Sequence, residues 1–259
     1  MNQFEFDGEK YRQASKHQKE WGNKLISELN LLGDEEVLDL GCGDGALTEQ
    51  IAILVPNGNV VGIDASIGMI RVAQKLKQPN LSFVCADIND IEYENRFDIV
   101  FSNAALHWVK NHKKLLKSSL KALKRGGCIT WNFGANGNCE NFCDIVKTVM
   151  KSPIYRNHFF DFEWPWYMPL EDDYNALIKS VGFSESEISY ENADRYFENS
   201  DEMIKWIDQP CLVPFLKILP NDKKEDFRNM VVKIMIDRTK QPNGKCFETF
   251  RRLNVKAIK

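Results

Sequence analysis

The sequence predicts an α/β protein built on a parallel sheet that has helices on both faces. Three observations support this prediction. Short apolar runs alternate with segments of helical periodicity in the first half of the chain, which is typical of such sheets. A glycine-rich turn follows the first apolar run and opens a helix. Acidic or small residues follow the other runs, at the sheet edge where these folds bind ligands.

The elements of the first half follow from local patterns. Residues 10–31 carry apolar side chains at helical spacing, and Gly33 supplies a stop. Ser66 is suited to cap the helix that follows the second strand. Strands are predicted at 37–40, 59–63, 81–85, 97–101 and 128–131, and the remaining helices at 46–54, 66–76 and 111–123.

The second half is less regular. Its predicted helices are 138–151, 171–181, 200–208 and 221–238, with a strand at 183–190 and a closing strand at 247–258. We expect a single domain over 1–259, whose core comprises 34–133, 183–191 and 246–258. The segments 134–170 and 192–245 are then expected to be insertions that join as a helical cap over the ligand-binding edge.

Composition excludes several classes of function. The chain has 259 residues, with 34 Lys and Arg against 37 Asp and Glu, and this near balance argues against a dedicated nucleic-acid binder. No apolar run approaches the roughly 18 residues of a membrane span, and the N-terminus is too polar for a signal peptide. We therefore expect a cytoplasmic protein without a membrane partner, either a monomer or a weak homodimer.

The cysteines do not indicate a metal site. The seven cysteines are scattered, none forms a C-x-x-C pair, and no histidine follows Cys139 and Cys143 at finger-like spacing. Reduced thiols that serve as small apolar residues explain them better, so no metal is expected.

The turn after the first strand has the pattern of a cofactor loop. Gly41, Gly43 and Ala46 satisfy the G-x-G-x-x-G/A dinucleotide fingerprint, and Asp64 lies near the expected distance for a ribose-binding acid. On this count alone a nicotinamide-dependent oxidoreductase is an open alternative.

Charge favours a different cofactor. Asp39 and Asp44 flank the loop, and two carboxylates would repel a pyrophosphate. S-adenosylmethionine (AdoMet) has no phosphate, and its methionine end carries an ammonium that a carboxylate attracts. The loop glycines would let the backbone approach that end closely, and Asp64 can still accept both ribose hydroxyls. We therefore expect AdoMet rather than a dinucleotide.

Four segments then resemble motifs of the class I AdoMet-dependent methyltransferases. They are 37–45 (VLDLGCGDG), 61–70 (VGIDASIGMI), 85–88 (CADI) and 123–127 (LKRGG), the last with Arg125 where the family pattern has proline. Their order and spacing match over about residues 34–132. The resemblance implies a Rossmann-like, mostly parallel sheet of seven strands with the last one antiparallel.

The resemblance also implies roles for the loop and the strand ends. Asp39 and Gly41 would hold the methionine moiety, Asp64 the ribose, and Asn103 would line the floor near the sulfonium. The full set of expected cofactor-binding residues is Tyr11, Asp39, Gly41, Gly43, Asp64, Ala65, Met69, Asp87, Ile88 and Asn103.

Three of these residues would bind the adenine. Met69 would pack on the ring, while Asp87 and Ile88 would meet its edge. Two structural alternatives stay open, because a methionine at helical spacing also serves as core and an aspartate after a strand also caps a turn.

The methyl acceptor is less well determined. The Asn/Asp-Pro-Pro-Tyr pattern common in methyltransferases of nucleobases or glutamine is absent after the fourth strand, where 102–109 reads SNAALHWV. Leu106–Val109, together with Tyr11 and Gln18, resembles the juvenile hormone acid methyltransferases. The later part resembles the trans-aconitate methyltransferases at Phe183, Trp206, 214–216 and 250–253. Both groups make methyl esters of small acids.

Ester formation sets modest chemical demands. A carboxylate is ionised at neutral pH and needs no general base, so the protein has to align the reacting atoms and exclude water. Gln18, His107 and Trp108 are the expected catalytic residues. The alternatives are a helix-surface residue or a contact to the cofactor carboxylate for Gln18, a structural histidine for His107, and a core or wall aromatic for Trp108. If the acceptor were a phenol or an alcohol, His107 would be the best candidate base.

Two further features bear on the acceptor pocket. The aromatic segment 159–167 is either an apolar wall or the core of the cap. Arg195, Arg251 and Arg252 are either bidentate carboxylate ligands or solvated surface residues.

The predicted function is AdoMet-dependent methylation of a small molecule, most simply O-methylation of a carboxylic acid to a methyl ester. The alternatives within the same fold are methylation of a carrier-bound acyl group, a phenol or an amine. An NAD-dependent oxidoreductase and a noncatalytic cofactor-binding protein are alternatives from other classes.

Overall fold

The computed structural model describes residues 8–9 and 16–259, so Tyr11 lies outside the described residues. The helices are α1 (Lys16–Ser27), α2 (Ala46–Leu54), α3 (Ile67–Ala73), α4 (His112–Ala122), α5 (Glu140–Met150), α6 (Glu171–Val181), α7 (Ser200–Trp206), α8 (Val213–Ile218) and α9 (Asn221–Thr239). The strands are β1 (Glu36–Leu40), β2 (Asn59–Asp64), β3 (Leu81–Cys85), β4 (Phe97–Asn103), β5 (Leu123–Gly134), β6 (Glu185–Asn192), β7 (Arg195–Phe197), β8 (Cys246–Glu248) and β9 (Arg251–Ile258).

Seven of the strands form one sheet in the order β3-β2-β1-β4-β5-β9-β6. The pairs β1–β2, β1–β4, β2–β3 and β4–β5 are parallel, whereas β9 runs antiparallel to β5. The order reverses between β1 and β4, which is the switch point where open sheets of this kind bind ligands. The predicted fold class, including the antiparallel strand next to β5, is confirmed.

The apolar strand runs form the core, as their patterns predicted. Leu38 and Leu40 of β1 are fully buried in a cluster that also contains Leu115 and Leu116 of α4. Val37 is buried on the other side of β1 with Ile51 and Ala52 of α2. Apolar residues therefore cover both sheet faces, and the strand ends are left as the polar edge.

The strand register brings the carboxyl ends of the parallel strands together. Leu40 pairs with Ile63, and Asp64 pairs with Cys85. On the other side of the switch point, Asn103 pairs with Asn132. Side chains that are far apart in sequence therefore share one edge of the sheet.

The closing strand is shorter than predicted. The pattern predicted a strand from 247 onward, but β9 begins at Arg251, and Cys246–Glu248 pairs with Arg195–Phe197 in a separate two-stranded sheet. The interruption has a cause that is distant in sequence, because the backbone N–H of Phe250 donates to the Asp194 carboxylate at 3.0 Å. That amide is therefore not available to a continuous ladder.

Two predicted helices end early. Helix α1 ends at Ser27 where the pattern predicted 31, and α3 ends at Ala73 where it predicted 76. In both cases the next amides bond to carbonyls three residues back, with Leu29 N to Ile26 O at 3.1 Å and Leu76 N to Ala73 O at 3.0 Å. Such tighter turns commonly finish a helix.

The chain divides into two compact units. The sheet unit runs through Asn136 and continues in Trp166–Glu191 and Arg252–Lys259, while the helical unit comprises Gly137–Pro165 and Asn192–Arg251. The core of the helical unit is aromatic, with Phe142, Trp206 and Phe215 in edge-to-face contact. The segment 159–167 is divided, so only its last two residues belong to the sheet unit. Among the described helices, none has the length and apolar character that crossing a membrane requires.

Candidate active site

The glycine loop, residues 41–45, turns sharply at the end of β1. The backbone N–H groups of Gly41 and Cys42 both donate to the carbonyl of Ile63, at 2.8 and 2.9 Å. Gly45 then precedes α2 in a left-handed conformation, with φ of 79°. Because β2 anchors the start of the loop, the loop backbone is held at the switch point of the sheet.

Two loop glycines are required for different reasons. Gly41 has φ of 76°, and a Cβ there would lie 2.2 Å from the Cβ of Ala105, so close packing excludes a side chain. Gly43 has φ of 55°, but a Cβ there would meet no atom within 4 Å. The backbone at Gly43 therefore faces open space that a ligand can approach closely.

Asp39 lies under the loop. Its side chain is 2% exposed and accepts a hydrogen bond from the Thr48 hydroxyl at 2.7 Å. The pKa of Asp39 is raised to about 7, mainly by burial; the Thr48 hydrogen bond opposes this rise, and the nearby Asp64 carboxylate adds a smaller contribution to it. Asp39 is therefore a carboxyl group whose charge near neutral pH depends on what binds beside it.

Asp64 connects the end of β2 to the loop. Its Oδ2 accepts from the Gly43 N–H at 2.9 Å, and its Oδ1 accepts from the Ser66 N–H at 2.8 Å. The Ser66 side chain in turn accepts from Met69 N at the start of α3, which confirms the predicted helix cap. Both carboxylate oxygens are thus oriented by backbone donors.

Asp44 has a cationic neighbour that the sequence pattern did not reveal. The Lys19 ammonium lies 3.1 Å from the Asp44 carboxylate, which is 7% exposed. The charge that argued against a pyrophosphate is thus partly balanced at Asp44. The pocket at this edge is lined by Gln18, Lys19, Asp39, Gly41, Cys42, Gly43, Asp44, Leu47, Phe101 and Asn103.

Two amide side chains bring unsatisfied oxygens to this pocket. The Nδ2 of Asn103 donates to the Gln18 carbonyl at 2.8 Å, so the end of β4 is bonded to α1. Oδ1 of Asn103 and Oε1 of Gln18 are both buried, and neither has a hydrogen-bond partner among the residues that the structure describes. A buried polar atom without a partner is costly, and a ligand with donors would satisfy it.

The turn after β4 carries the other predicted catalytic residues. Ala104 adopts a left-handed conformation, with φ of 55°, which is uncommon for a residue with a side chain and occurs often at functional sites. The short helical turn Leu106–Trp108 follows directly. The Trp108 ring meets that of Trp166 edge-to-face, with 5.6 Å between the centroids.

The environment of His107 makes it a weak base. Its Nδ1 is buried without a hydrogen-bond partner in the described part of the chain. Burial lowers the pKa of His107 to about 3, with the positive charge of Arg252 and the ring of His112 as smaller causes. An efficient general base has a pKa near the working pH, so this imidazole is poorly suited to the role.

His112 is a positioning residue that the sequence pattern did not single out. Its ring nitrogens bond to the Tyr174 hydroxyl at 2.8 Å and to the Leu106 carbonyl at 2.9 Å. The backbone of the turn is also held by Tyr167, whose N–H donates to the His107 carbonyl at 2.8 Å. Helix α6 and the segment before it therefore fix the position of His107.

The residues expected at the adenine lie after β3 and in α3, which follows β2. Asp87 accepts from the backbone and side-chain amides of Asn89 at 2.9 and 2.7 Å, and both bonds use Oδ1. The turn-capping alternative for Asp87 is thus observed, and it still allows Oδ2 to meet a ligand. Met69 and Ile88 are buried, and Ala65 accepts a weak bond from the Cys85 thiol at 3.8 Å.

The structure thus gathers Gln18, Asp39, Gly41, Gly43 and Asn103 around one pocket. Thr48, Lys19 and Arg252 are additional polar residues at this edge that the sequence analysis did not assign to the cofactor site. For Thr48 a signal existed, because it occupies the third helical position after the loop. Lys19 and Arg252 lie on other elements, so only the fold brings them near.

Comparisons with known proteins identify the family of the chain. The chain matches the methyltransferase domain family over residues 37–127. It is 31% identical over 244 residues to an uncharacterized methyltransferase of Schizosaccharomyces pombe, which covers 91% of this chain and 90% of that protein. It is 39% identical over 189 residues to a trans-aconitate 2-methyltransferase of Deinococcus radiodurans, which covers 71% of this chain and 72% of that protein.

A solved structure has a similar fold. It is the phosphoethanolamine N-methyltransferase 2 of Haemonchus contortus in complex with S-adenosyl-L-methionine. The TM-score is 0.61 at 18% identity, and the match covers 97% of this chain and 56% of that one. At this level of identity the likeness shows the fold alone.

Proposed function

This chain belongs to the class I AdoMet-dependent methyltransferases, and on that premise we propose that it methylates a carboxylate oxygen of a small acid to give a methyl ester. AdoMet is the cofactor and supplies an electrophilic methyl group on a sulfonium. The relative from Deinococcus radiodurans, a trans-aconitate 2-methyltransferase, supports a carboxylic acid as the acceptor.

The pocket residues fit the methionine end of AdoMet. The backbone at Gly43 faces open space, and the unsatisfied oxygens of Gln18 and Asn103 are acceptors for an ammonium. Asp39 lies beneath the same loop and would add a carboxylate to this acceptor-rich lining. Asp64 would hold the ribose through both of its oriented oxygens, and Asp87 would meet the adenine edge.

The burial of His107, whose Nδ1 has no hydrogen-bond partner among the described residues, supports the choice of a carboxylate acceptor. His107, the candidate base of the turn after β4, has a pKa lowered to about 3, and burial is the main cause. A phenol or an alcohol would need a stronger base in that position, whereas a carboxylate is already ionised at neutral pH. Gln18, His107 and Trp108 would then align the acceptor and exclude water rather than remove a proton.

The test is transfer of labelled methyl from AdoMet to a panel of small acids, phenols, amines and acyl-carrier thioesters. We expect label on the acids that alkali releases as methanol, which identifies a methyl ester. Samples inhibited with S-adenosylhomocysteine provide the background. Alkali-stable label on a phenol or an amine would replace the carboxylate proposal, and label confined to acyl carriers would assign a carrier-bound acceptor.

Replacing His107 by glutamine should leave kcat for the acid within about threefold, because no proton transfer is lost. A general base typically contributes about 10²- to 10⁴-fold, so the two roles are well separated. The measurement is kcat at saturating AdoMet between pH 6 and 8, which we expect to be flat in both proteins. A loss of about 100-fold, or a pH limb that the variant abolishes, would restore His107 as the base.

Asp39 should make AdoMet binding depend on pH. Because its pKa is about 7, the carboxyl group is largely protonated at pH 6 and loses its attraction for the ammonium. We expect the Kd for AdoMet to rise about tenfold from pH 7.5 to pH 6. At pH 6, one unit below the pKa, only about a tenth of the Asp39 carboxyl groups are ionised. The Asp39→Asn variant should bind AdoMet more weakly at pH 7.5, and its Kd should not change between pH 7.5 and pH 6.

The same variant should be more stable without cofactor. The folded-state pKa of Asp39 is raised above its ordinary value of 3.8, so its burial costs increasing stability as the pH rises from about 4 to about 7. Removing that cost should add about 2–4 kcal/mol at pH 7.5, seen as a Tm several degrees higher. If the Kd for AdoMet still rose between pH 7.5 and pH 6 in Asp39→Asn, the titrating group would be a residue other than Asp39.

A further inference from the structure

The hydroxyl of Thr48 bonds outside its own helix. Helical threonines commonly donate to the carbonyl four residues earlier, as Thr148 and Thr239 do at 2.8 and 2.7 Å. Thr48 is the third residue of α2, and its hydroxyl instead donates to Oδ2 of Asp39 on β1 at 2.7 Å. The hydroxyl of Thr48 is therefore directed at the proposed cofactor site rather than at its own helix.

Both members of this pair are buried. Thr48 has no exposed surface, and Asp39 is 2% exposed. On its two sides in the sheet, Asp39 pairs in register with Gly62 of β2 and Phe101 of β4, neither of which offers a polar side chain. A hydrogen bond inside the protein is electrostatically stronger than one in water. No neighbour in the sheet can therefore replace the donor that Thr48 supplies.

Several other titratable groups surround Asp39. Burial raises the pKa of Asp39 most, and Asp64 at the end of β2 adds a smaller increase. The titratable side chains that line the pocket with Asp39 are Lys19, Cys42 and Asp44, the first and last of which form an ion pair. Burial holds the pKa of the Cys42 thiol well above its ordinary value, so this thiol stays neutral. The Thr48 hydrogen bond acts against burial, because a donor favours the charged form of a carboxyl group.

We propose that Thr48 is a positioning residue for the cofactor: it holds Oδ2 of Asp39, leaves Oδ1 for the cofactor ammonium and favours the charged carboxylate at neutral pH. This inference rests on the proposed placement of the methionine end of AdoMet beside Asp39. The same bond joins β1 to the first turn of α2 across the glycine loop, residues 41–45. The direction of the carboxylate and the shape of the loop are therefore coupled, as a supporting hydrogen bond behind a binding group requires.

The test compares Thr48→Val with wild type by calorimetry of S-adenosylhomocysteine between pH 5.5 and 8.5. Valine keeps the shape of threonine and removes the hydroxyl. We expect the midpoint of the pH dependence of Kd to move up by about one unit, the scale of one lost charge-assisted hydrogen bond. At pH 7.5 that shift alone weakens binding about threefold. Thr48→Ser keeps the donor and should bring the midpoint back to the wild-type value.

Thr239→Val is the matched control. Thr239 is also buried and donates at 2.7 Å, but its acceptor is a backbone carbonyl of α9 in the helical unit. This variant should keep the wild-type Kd at every pH. If Thr48→Val bound S-adenosylhomocysteine as Thr239→Val does, or lost the same affinity at every pH, Thr48 would be a structural residue only and the inference would be overturned. Thr48→Ala replaces Thr48→Val if that variant fails to fold.

A measurement without cofactor keeps the inference separable from the proposed function. In protein labelled with ¹³C-aspartate, the carboxyl resonance that Asp39→Asn removes belongs to Asp39, and its titration gives the pKa directly. We expect that pKa to be about one unit higher in Thr48→Val than in wild type, and restored in Thr48→Ser. If no acid accepts a methyl group, the proposed function fails and this titration still decides on Thr48. Equal pKa values of Asp39 in wild type and Thr48→Val would refute the role of Thr48.

Discussion

Replacing Asp64 by alanine is expected to weaken AdoMet binding by about 100-fold or more. A carboxylate that accepts from both ribose hydroxyls makes two charge-assisted hydrogen bonds, each worth about 1.5–3 kcal/mol. The same substitution removes the acceptor for the N–H groups of Gly43 and Ser66, so the loop loses the anchor that orients it. Calorimetry of AdoMet and of S-adenosylhomocysteine measures the effect.

The ribose contribution can be separated from loop anchoring by a ligand that lacks the ribose hydroxyls. Wild type should bind that analogue much more weakly than S-adenosylhomocysteine, whereas Asp64→Ala should hardly distinguish the two. Asp90→Ala is the matched control, since it removes an exposed carboxylate that pairs with Lys114 at 3.0 Å. If Asp64→Ala retained wild-type affinity with an intact fold by circular dichroism, the ribose assignment would be wrong.

The fold was predictable because its signals are local. Apolar runs, glycine stops and the loop spacing identified five parallel strands and the helices that connect them. The residue at which each strand ends is adjacent to that strand in the sequence. Local patterns were less reliable where side chains compete for backbone bonds. The Asp194 carboxylate takes the N–H of Phe250, and this non-local bond is why the closing strand starts at Arg251.

The site was predictable only in part, for the same physical reason. Asp39, Gly43 and Asp64 stand beside strand ends, so the sequence places them at the ligand edge. Lys19 comes from α1, and no spacing rule relates it to the loop. The protonation of His107 was also hidden, because burial and the charge of Arg252 together lower its pKa to about 3.

Substituting valine for Gly43 should abolish measurable AdoMet binding while the protein stays folded. Gly43 is the better probe of the loop than Gly41, because a side chain at Gly41 would clash with Ala105 and disturb packing without any ligand. At Gly43 the new side chain enters open space, which is the space that the proposed site would give to the methionine moiety. The stability cost should be limited to about 1–2 kcal/mol, since φ of 55° is strained for a residue with a Cβ.

Gly126 offers a control that is matched in conformation. It has φ of 80°, a Cβ there would meet no atom within 4 Å, and its N–H bonds to the Lys259 carbonyl at the opposite edge of the sheet. Gly126→Val should therefore lose about the same stability as Gly43→Val and keep wild-type affinity for AdoMet. Strain would then be common to both variants, and only the position at the ligand edge would separate them. Equal affinities in the two variants would show that the cofactor does not approach the backbone at Gly43.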